Sequence, residues 1–119
     1  MIDDKEEVKT MDRYDAILKD FVNGTQHIYG NLLNTIILYG SVAKGTDVVD
    51  SDIDLAVLVN NDNEISHEAL IDFIVDLELE CGKVLSVLVI SQNDYTKWNS
   101  VVPFYKNVKE EGVVLWTAA

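Results

Sequence analysis

The sequence has few cysteines, few basic residues and no long apolar run. Cys81 is its only cysteine, so an internal disulfide is impossible, and no Cys/His spacing resembles a zinc site. This usage is typical of a reducing compartment. Residues 1–7 lack the basic and then apolar stretch of a secretion signal, and nowhere do about 18 apolar residues run together. We therefore expect a cytoplasmic protein with no membrane contact.

Basic residues are scarce relative to acidic ones. Nine Lys and Arg stand against 21 Asp and Glu, which gives a formal net charge of −12. Carboxylates repel phosphate backbones, so we expect no direct binding to nucleic acid. The acidity is compatible with a solvated exterior, with carboxylates gathered around metal ions, or with a basic protein partner. Ordinary apolar content over 119 residues predicts one domain, residues 1–119, with its own core.

The first half of the chain predicts a helix followed by two strands. Apolar residues recur at helical spacing over 6–22, with Val8 and Met11 on the apolar face and Gly24 as the expected stop. Residues 25–33 fit either a further helical turn or a connector. Residues 35–39 form a β-branched and aromatic run typical of a buried strand. A polar loop over 41–51 leads into a second predicted strand, 52–59.

The second half predicts a helix, a third strand and a mostly helical end. Helical spacing covers 65–81, where we expect Ser66 as N-cap, an Ile65–Leu70 hydrophobic staple and Gly82 at the C-terminal end. Residues 84–90 are apolar except at Ser86, which predicts a central strand covered on both faces.

Residues 93–111 are expected to be mostly helical, with Pro103 starting or breaking a segment, and 113–116 to form a last short strand. The fold class predicted is α/β (α+β), with a small mixed sheet of three to four strands and helices on one side.

Two carboxylates stand at the start of the second predicted strand. Side chains alternate along a strand, so Asp52 and Asp54 project to the same face with Cα atoms about 6.5 to 7 Å apart. Such a pair repels itself unless a divalent cation bridges it or one member takes up a proton. Mg²⁺ is the obvious candidate, because it prefers oxygen ligands and is commonly held by one or two carboxylates together with nucleotide phosphates.

The turn after the first predicted strand has the composition of a phosphate site. Gly40 lets the backbone approach a phosphate closely, and the amides that follow it, together with the Ser41 hydroxyl, can donate to phosphate oxygens. Gly45 allows the loop to fold back, and Lys44 can add positive charge near a triphosphate. We expect one loop to bind phosphate and the next strand to bind the metal on that phosphate.

This pattern of Gly-Ser, ten residues and Asp-x-Asp resembles the signature of the minimal nucleotidyltransferase domain, a branch of the DNA polymerase β-like superfamily. The resemblance is close over 40–54 and extends to the order of elements and to the segment 103–113. It implies a polymerase β-like fold and Mg²⁺-dependent transfer of a nucleoside monophosphate, AMP from ATP, to an acceptor. It implies that Gly40 and Ser41 hold the triphosphate and that Asp52 and Asp54 are catalytic and ligate the metal. With the loop residues Lys44, Gly45 and Ser51 added, the predicted nucleotide-binding set is Gly40, Ser41, Lys44, Gly45 and Ser51.

The resemblance also implies a partner. Many short proteins of this kind resemble antitoxins, of the MntA type, paired with a helical HEPN-domain toxin that they silence by binding or by adenylylating a tyrosine. A partner of that kind would suit the acidic surface.

One position departs from the family pattern. The family commonly carries a third carboxylate in the middle of the third strand, and Ser86 stands there in this chain. Serine is a weak magnesium ligand and no base at neutral pH. An alternative is therefore a catalytically impaired nucleotide-binding antitoxin or regulatory module. Transfer to a small molecule such as an aminoglycoside is a weaker alternative, for which a homodimer could supply the acceptor-binding half.

Overall fold

The computed structural model describes residues 2–48 and 50–118, and for residues 2–13 it describes the helical backbone alone. Val8 and Met11, expected on the apolar face of the first helix, therefore lie outside the side chains described. The helices and strands are, in chain order, α1 (Ile2–Tyr29), β1 (Leu33–Tyr39), α2 (Gly40–Lys44), β2 (Ile53–Val59), α3 (Glu64–Cys81), β3 (Leu85–Ser91), α4 (Gln92–Trp98), α5 (Pro103–Glu111) and β4 (Val113–Thr117). A 3₁₀ turn at Gly30–Leu32 joins α1 to β1.

The four strands form one mixed sheet in the order β3-β2-β1-β4. β1 pairs antiparallel with β2 and with β4, whereas β2 and β3 are parallel. A parallel pair needs a crossover connection, and α3 supplies it between β2 and β3. The predicted mixed sheet, the Pro103 start of a helix and the last short strand are all confirmed. No helix in the described ranges is long and apolar enough to cross a membrane.

Helices cover both faces of the sheet, so the expectation of helices on one side is wrong. On one face α1 and α3 pack over the larger core, in which Phe21, Leu55 and Leu70 are almost fully buried. On the other face α4 and α5 cover a smaller cluster around Leu58 and Val108. The reason is that β1 and β2 are apolar at successive positions, so both of their surfaces must be removed from water.

The third strand is also placed differently from the expectation. β3 lies at the edge of the sheet, and Leu88 in its middle is 45% exposed. A continuous apolar run cannot reveal how many neighbours a strand has, because burial on each face depends on the helices that pack there. The prediction of a central strand covered on both faces is therefore wrong, although a strand does form at this position.

Gly24 does not end the first helix. α1 continues to Tyr29, because a single glycine costs only about 1 kcal/mol inside a helix. A Cβ atom at Gly24 would collide with the ring of Phe73 on α3. Phe73 also stacks on Phe21, with ring centroids 6.3 Å apart. Gly24 therefore allows α1 and α3 to approach each other closely.

The start of α3 differs from the prediction by a few residues. Asn63 is the N-cap, and its side-chain oxygen accepts a hydrogen bond from the Ser66 backbone N–H at 2.8 Å. Ile65 is 84% exposed, so the expected staple with Leu70 does not form. The end of the helix is as predicted, with Gly82 in the left-handed conformation at φ 69°.

Candidate functional site

The pairing of three strands brings Tyr39, Asp54 and Ser86 side by side. Tyr39, the last residue of β1, is the antiparallel partner of Asp54. On the other side of β2, Asp54 is the parallel partner of Ser86. Asp54 and the buried Ala56 are two residues apart, so both face the side of the sheet that carries α4 and α5. Asp52 precedes the strand and is exposed. The two carboxylates therefore lie at the end of the sheet where β1 stops.

Gly40 lies directly against the Asp54 carboxylate. Its φ is +74°, a conformation that favours glycine. A Cβ atom there would collide with a carboxylate oxygen of Asp54 and would lie 3.0 Å from its Cγ. The first turn after β1 and the start of β2 thus meet so closely that a side chain on Gly40 would have to displace the Asp54 carboxylate.

Part of the expected polar loop is a short helix. α2 begins at Gly40, carries Ser41 in its first turn and is anchored by the buried Val42. Gly45, at φ +74°, ends it, and its N–H donates to the Val42 carbonyl at 3.2 Å. The Thr46 N–H donates to the Ser41 carbonyl at 2.9 Å. The predicted role of Gly45 in folding the loop back agrees with this geometry.

Hydrogen bonds within the loop and from α1 hold the described residues after α2. The Tyr14 hydroxyl of α1 donates to Asp47 at 2.8 Å. The Ser51 hydroxyl accepts from the Val48 N–H at 2.9 Å, and the Ser51 N–H donates to the Val48 carbonyl at 2.9 Å. Ser51 therefore shapes the turn that leads into Asp52, and its hydroxyl already has a partner within the loop.

Lys44, expected near a triphosphate, is paired with α5. Its Nζ lies 2.9 Å from a carboxylate oxygen of Glu111, and both side chains are about half exposed. An exposed pair of this kind contributes little to stability, so the lysine can exchange it for another anion at small cost. Sequence reasoning missed Glu111, because nothing in the chain indicates that the end of α5 meets α2.

The electrostatics of the site favour a proton or a cation beside Asp54. Burial raises the pKa of the Asp54 carboxyl, and the negative charge of Asp52 raises it further. Burial also raises the pKa of the Tyr39 hydroxyl, with a further contribution from Asp54. Tyr39 packs edge-on against Phe104 of α5, with ring centroids 5.5 Å apart. Sequence reasoning treated Tyr39 only as the end of a strand, although its place immediately before Gly40 was a usable signal.

The donors at this site suit a hard divalent cation but are few. Among the described residues there is no group of three or more His, Cys, Asp or Glu that could hold a metal ion. Glu78, in the last turns of α3, uses its carboxylate to accept the Leu85 N–H at 2.9 Å. Asp52 and Asp54 fit Mg²⁺, which commonly takes one or two carboxylates and completes its shell with water and phosphate oxygens. Because Gly40 has no Cβ atom, the Asp54 carboxylate fits beside the turn.

Comparison with known proteins places this geometry in a family. Residues 25–118 match the family described as Polymerase beta, Nucleotidyltransferase. A protein of Methanocaldococcus jannaschii named "Putative protein adenylyltransferase MJ0604" is 33% identical over 102 residues, which cover 83% of this chain and 94% of that protein. A second protein of the same organism, "Putative protein adenylyltransferase MJ1305", is 33% identical over 81 residues, 66% of this chain and 55% of that protein.

Solved structures show the same fold. The crystal structure of "a putative nucleotidyltransferase from Sulfolobus solfataricus" aligns with a TM-score of 0.57 at 15% identity, over 94% of this chain and 87% of that one. A toxin-antitoxin structure with AMP-PNP aligns with a TM-score of 0.53 at 21% identity, over 82% of this chain and 72% of that one. The predicted polymerase β-like fold class, a small mixed sheet packed with helices, is therefore confirmed. Since the family match spans most of its length, this chain belongs to the polymerase beta nucleotidyltransferase family.

Proposed function

We propose that the chain transfers AMP from ATP to a hydroxyl group of a protein, with Mg²⁺ held by Asp52 and Asp54. The observation that carries this proposal is the contact between Gly40 and the Asp54 carboxylate. It joins the turn suited to phosphate and the strand suited to the metal at one point. The identity to MJ0604, whose name describes a protein adenylyltransferase, supports a protein as the acceptor.

Each residue of the site has a role in this proposal. The backbone amides of the turn at Gly40 and Ser41 donate to oxygens of the triphosphate, and the Ser41 hydroxyl adds a further donor. Lys44 leaves Glu111 and contributes its positive charge to the phosphates. Ser51 and Gly45 hold the loop in shape, and Asp52 and Asp54 hold the metal. When bound, Mg²⁺ stabilises the negative charge that develops on the phosphates.

Transfer exchanges one bond at the α-phosphorus of ATP for another. An oxygen of the acceptor hydroxyl forms a bond to the α-phosphorus of ATP. The bond between that phosphorus and the oxygen bridging to the β-phosphate breaks, and pyrophosphate leaves with the electron pair. The hydroxyl proton passes to water, because Asp52 and Asp54 are both committed to the metal in this proposal.

We further propose a HEPN-type toxin as the acceptor. A similar fold occurs in a structure titled as a toxin-antitoxin with AMP-PNP, which supports both the class of partner and an adenine nucleotide. The net charge of −12 supports a basic partner. The cytoplasmic location expected from the sequence fits such a pair.

The test begins with the protein recovered from its native host together with its bound partner. ATP labelled at the α-phosphate, Mg²⁺ and the complex are incubated, and the partner is examined by intact mass spectrometry. We expect the partner to gain the mass of one AMP, with the label retained, and ATP labelled at the γ-phosphate to transfer nothing. Asp52→Asn should abolish the transfer, whereas Asp50→Asn, which removes the same charge from the same loop, should preserve it.

A second candidate function rests on Ser86. Ser86 is the strand partner of Asp54, and within the described ranges no group of three or more His, Cys, Asp or Glu could hold a metal ion. This favours a module that binds nucleotide and silences its partner by binding alone. In that case the partner keeps its mass with any nucleotide, while Ser86→Asp gains transfer activity. Full transfer by the unmodified protein would exclude this candidate.

A further inference from the structure

The outer side of α3 carries an exposed apolar stripe. Ile71, Val75 and Leu79 recur every four residues, so they lie on one side of the helix, and they are 49%, 47% and 80% exposed. Phe73 packs against α1. Each helix residue is rotated by about 100° from the one before, so Ile71 and Val75, two positions on either side of Phe73, point roughly away from α1. The stripe is therefore on the side of α3 turned away from α1.

The edge strand lies on that same side. Glu78, between Val75 and Leu79 in the chain, accepts the Leu85 N–H with its carboxylate, which ties this side of α3 to the start of β3. β3 contains neither a charged residue nor proline, the features that usually protect a sheet edge. No strand in the described part of the chain pairs with its outer edge. We call Ile71, Val75, Leu79 and the outer edge of β3 the β3 flank.

The Asp, Glu, Lys and Arg residues within α3 all have one sign. Residues 64–81 contain six carboxylates and neither Lys nor Arg. Four of the carboxylates recur every four residues and so form a row along the helix. Their like charges repel one another, and α3 contains no Lys or Arg to neutralise them. They are Glu68, Asp72, Asp76 and Glu80. A second copy of this chain would bring the same row of charges, whereas a cationic partner would neutralise it.

We propose that the β3 flank docks a partner protein that presents an apolar ridge bordered by Lys and Arg side chains. The apolar ridge covers the stripe and the basic border faces the carboxylate row, which matches the apolar centre and polar rim of protein interfaces. The apolar stripe of the flank is separate from the site, because it lies on α3, whereas Asp54 faces the side of the sheet that carries α4 and α5. The inference therefore goes beyond the proposed transfer and does not depend on it.

The test uses a defined probe and no nucleotide, so its failure and a failure of transfer are distinguishable. The probe is a synthetic amphipathic helical peptide with leucines along one side and lysines beside them. The comparison peptide has the same composition in scrambled order, which keeps the charge and removes the ridge. We expect the chain to bind the ridged peptide at least tenfold more tightly, measured by calorimetry at physiological salt.

Variants locate the contact. Val75→Ser combined with Leu79→Ser should weaken peptide binding at least tenfold. Both side chains are exposed, so the substitutions do not alter the hydrophobic core. Ile65→Ser, at an 84% exposed position in the first turn of the same helix, is the matched control and should bind as the parent does. Asp72→Asn with Asp76→Asn should weaken binding and flatten its dependence on salt. Circular dichroism confirms that each variant is folded.

Three results would overturn the proposal. The first is equal affinity for the ridged and the scrambled peptide. The second is loss of affinity in the Ile65→Ser control as large as in the stripe variant. The third is a chain that is dimeric by light scattering and becomes monomeric on Val75→Lys, since the flank would then be occupied by a second copy.

Discussion

The α-carbon of Gly40 lies against the carboxylate of Asp54, so closely that a methyl group on Gly40 would collide with a carboxylate oxygen. These residues belong to different elements, the first turn of α2 and the second residue of β2. The contact fixes how the turn and the strand meet. The proposed phosphate-binding turn and the proposed metal-binding strand can therefore lie this close only because Gly40 has no side chain.

Gly40→Ala should eliminate metal-dependent nucleotide binding, because the new methyl group must displace the Asp54 carboxylate. Gly45→Ala is the matched control: Gly45 has the same φ of +74°, and a Cβ atom there meets nothing within 4 Å. Both variants carry a similar backbone strain of about 1 kcal/mol. Binding of ATP with Mg²⁺, measured by calorimetry, should be lost in the first and at most weakened a few-fold in the second. Equal losses in both would mean that strain alone is responsible.

Glu111→Gln should strengthen nucleotide binding a few-fold. Glu111 holds the Lys44 ammonium at 2.9 Å, and its neutral replacement leaves the lysine available for phosphate. Glu110→Gln removes the same charge from the preceding, exposed position and controls for the general effect of charge. Stability should change by less than about 1 kcal/mol in both variants, because the pair is exposed. If the two variants bind alike, Lys44 does not contact the nucleotide.

Asn63→Ala should destabilise the protein by about 1 kcal/mol, because its side chain caps α3 by accepting the Ser66 N–H. Ser66→Ala should be nearly neutral, since the same hydrogen bond uses the Ser66 backbone. Urea unfolding of the two variants beside the parent measures both values. A larger loss for Ser66→Ala would restore the serine as the cap.

The start of α3 shows why sequence reasoning succeeds in outline and fails in detail. Asn63 and Ser66 are both good capping residues, and only the path of the chain after β2 decides between them. The position of β3 in the sheet was likewise unpredictable from the sequence, because an apolar run of this length occurs both in edge strands and in central strands. The juxtaposition of the Gly40 turn with Asp54 was predictable, since both flank one loop between adjacent strands. The Lys44–Glu111 pair was not, because it joins elements distant in the chain.

Gly24→Ala should destabilise the protein by about 1 to 3 kcal/mol, although alanine ordinarily favours a helix over glycine by about 1 kcal/mol. The reason is the Phe73 ring, with which the new methyl group would collide. Phe73→Leu in the same chain should relieve the collision, so the double variant should lose less than the sum of the single changes. Thermal unfolding of the four proteins tests this, and strict additivity would contradict it.

Tyr29 should make the protein less stable at alkaline pH. Its hydroxyl donates to Asp62 at 2.9 Å, and burial first, then this hydrogen bond and the Asp62 charge, raise its pKa above the ordinary value of 10.0. Below about pH 10 the tyrosine is protonated in both the folded and the unfolded chain, so its contribution to stability is fully present. Above that pH the unfolded chain releases the proton while the folded chain retains it, and stability falls. Tyr29→Phe should therefore cost about 1 kcal/mol near pH 8 and clearly less near pH 11, as measured by urea unfolding. A cost that is the same at both pH values would show that the hydroxyl titrates alike in the two states.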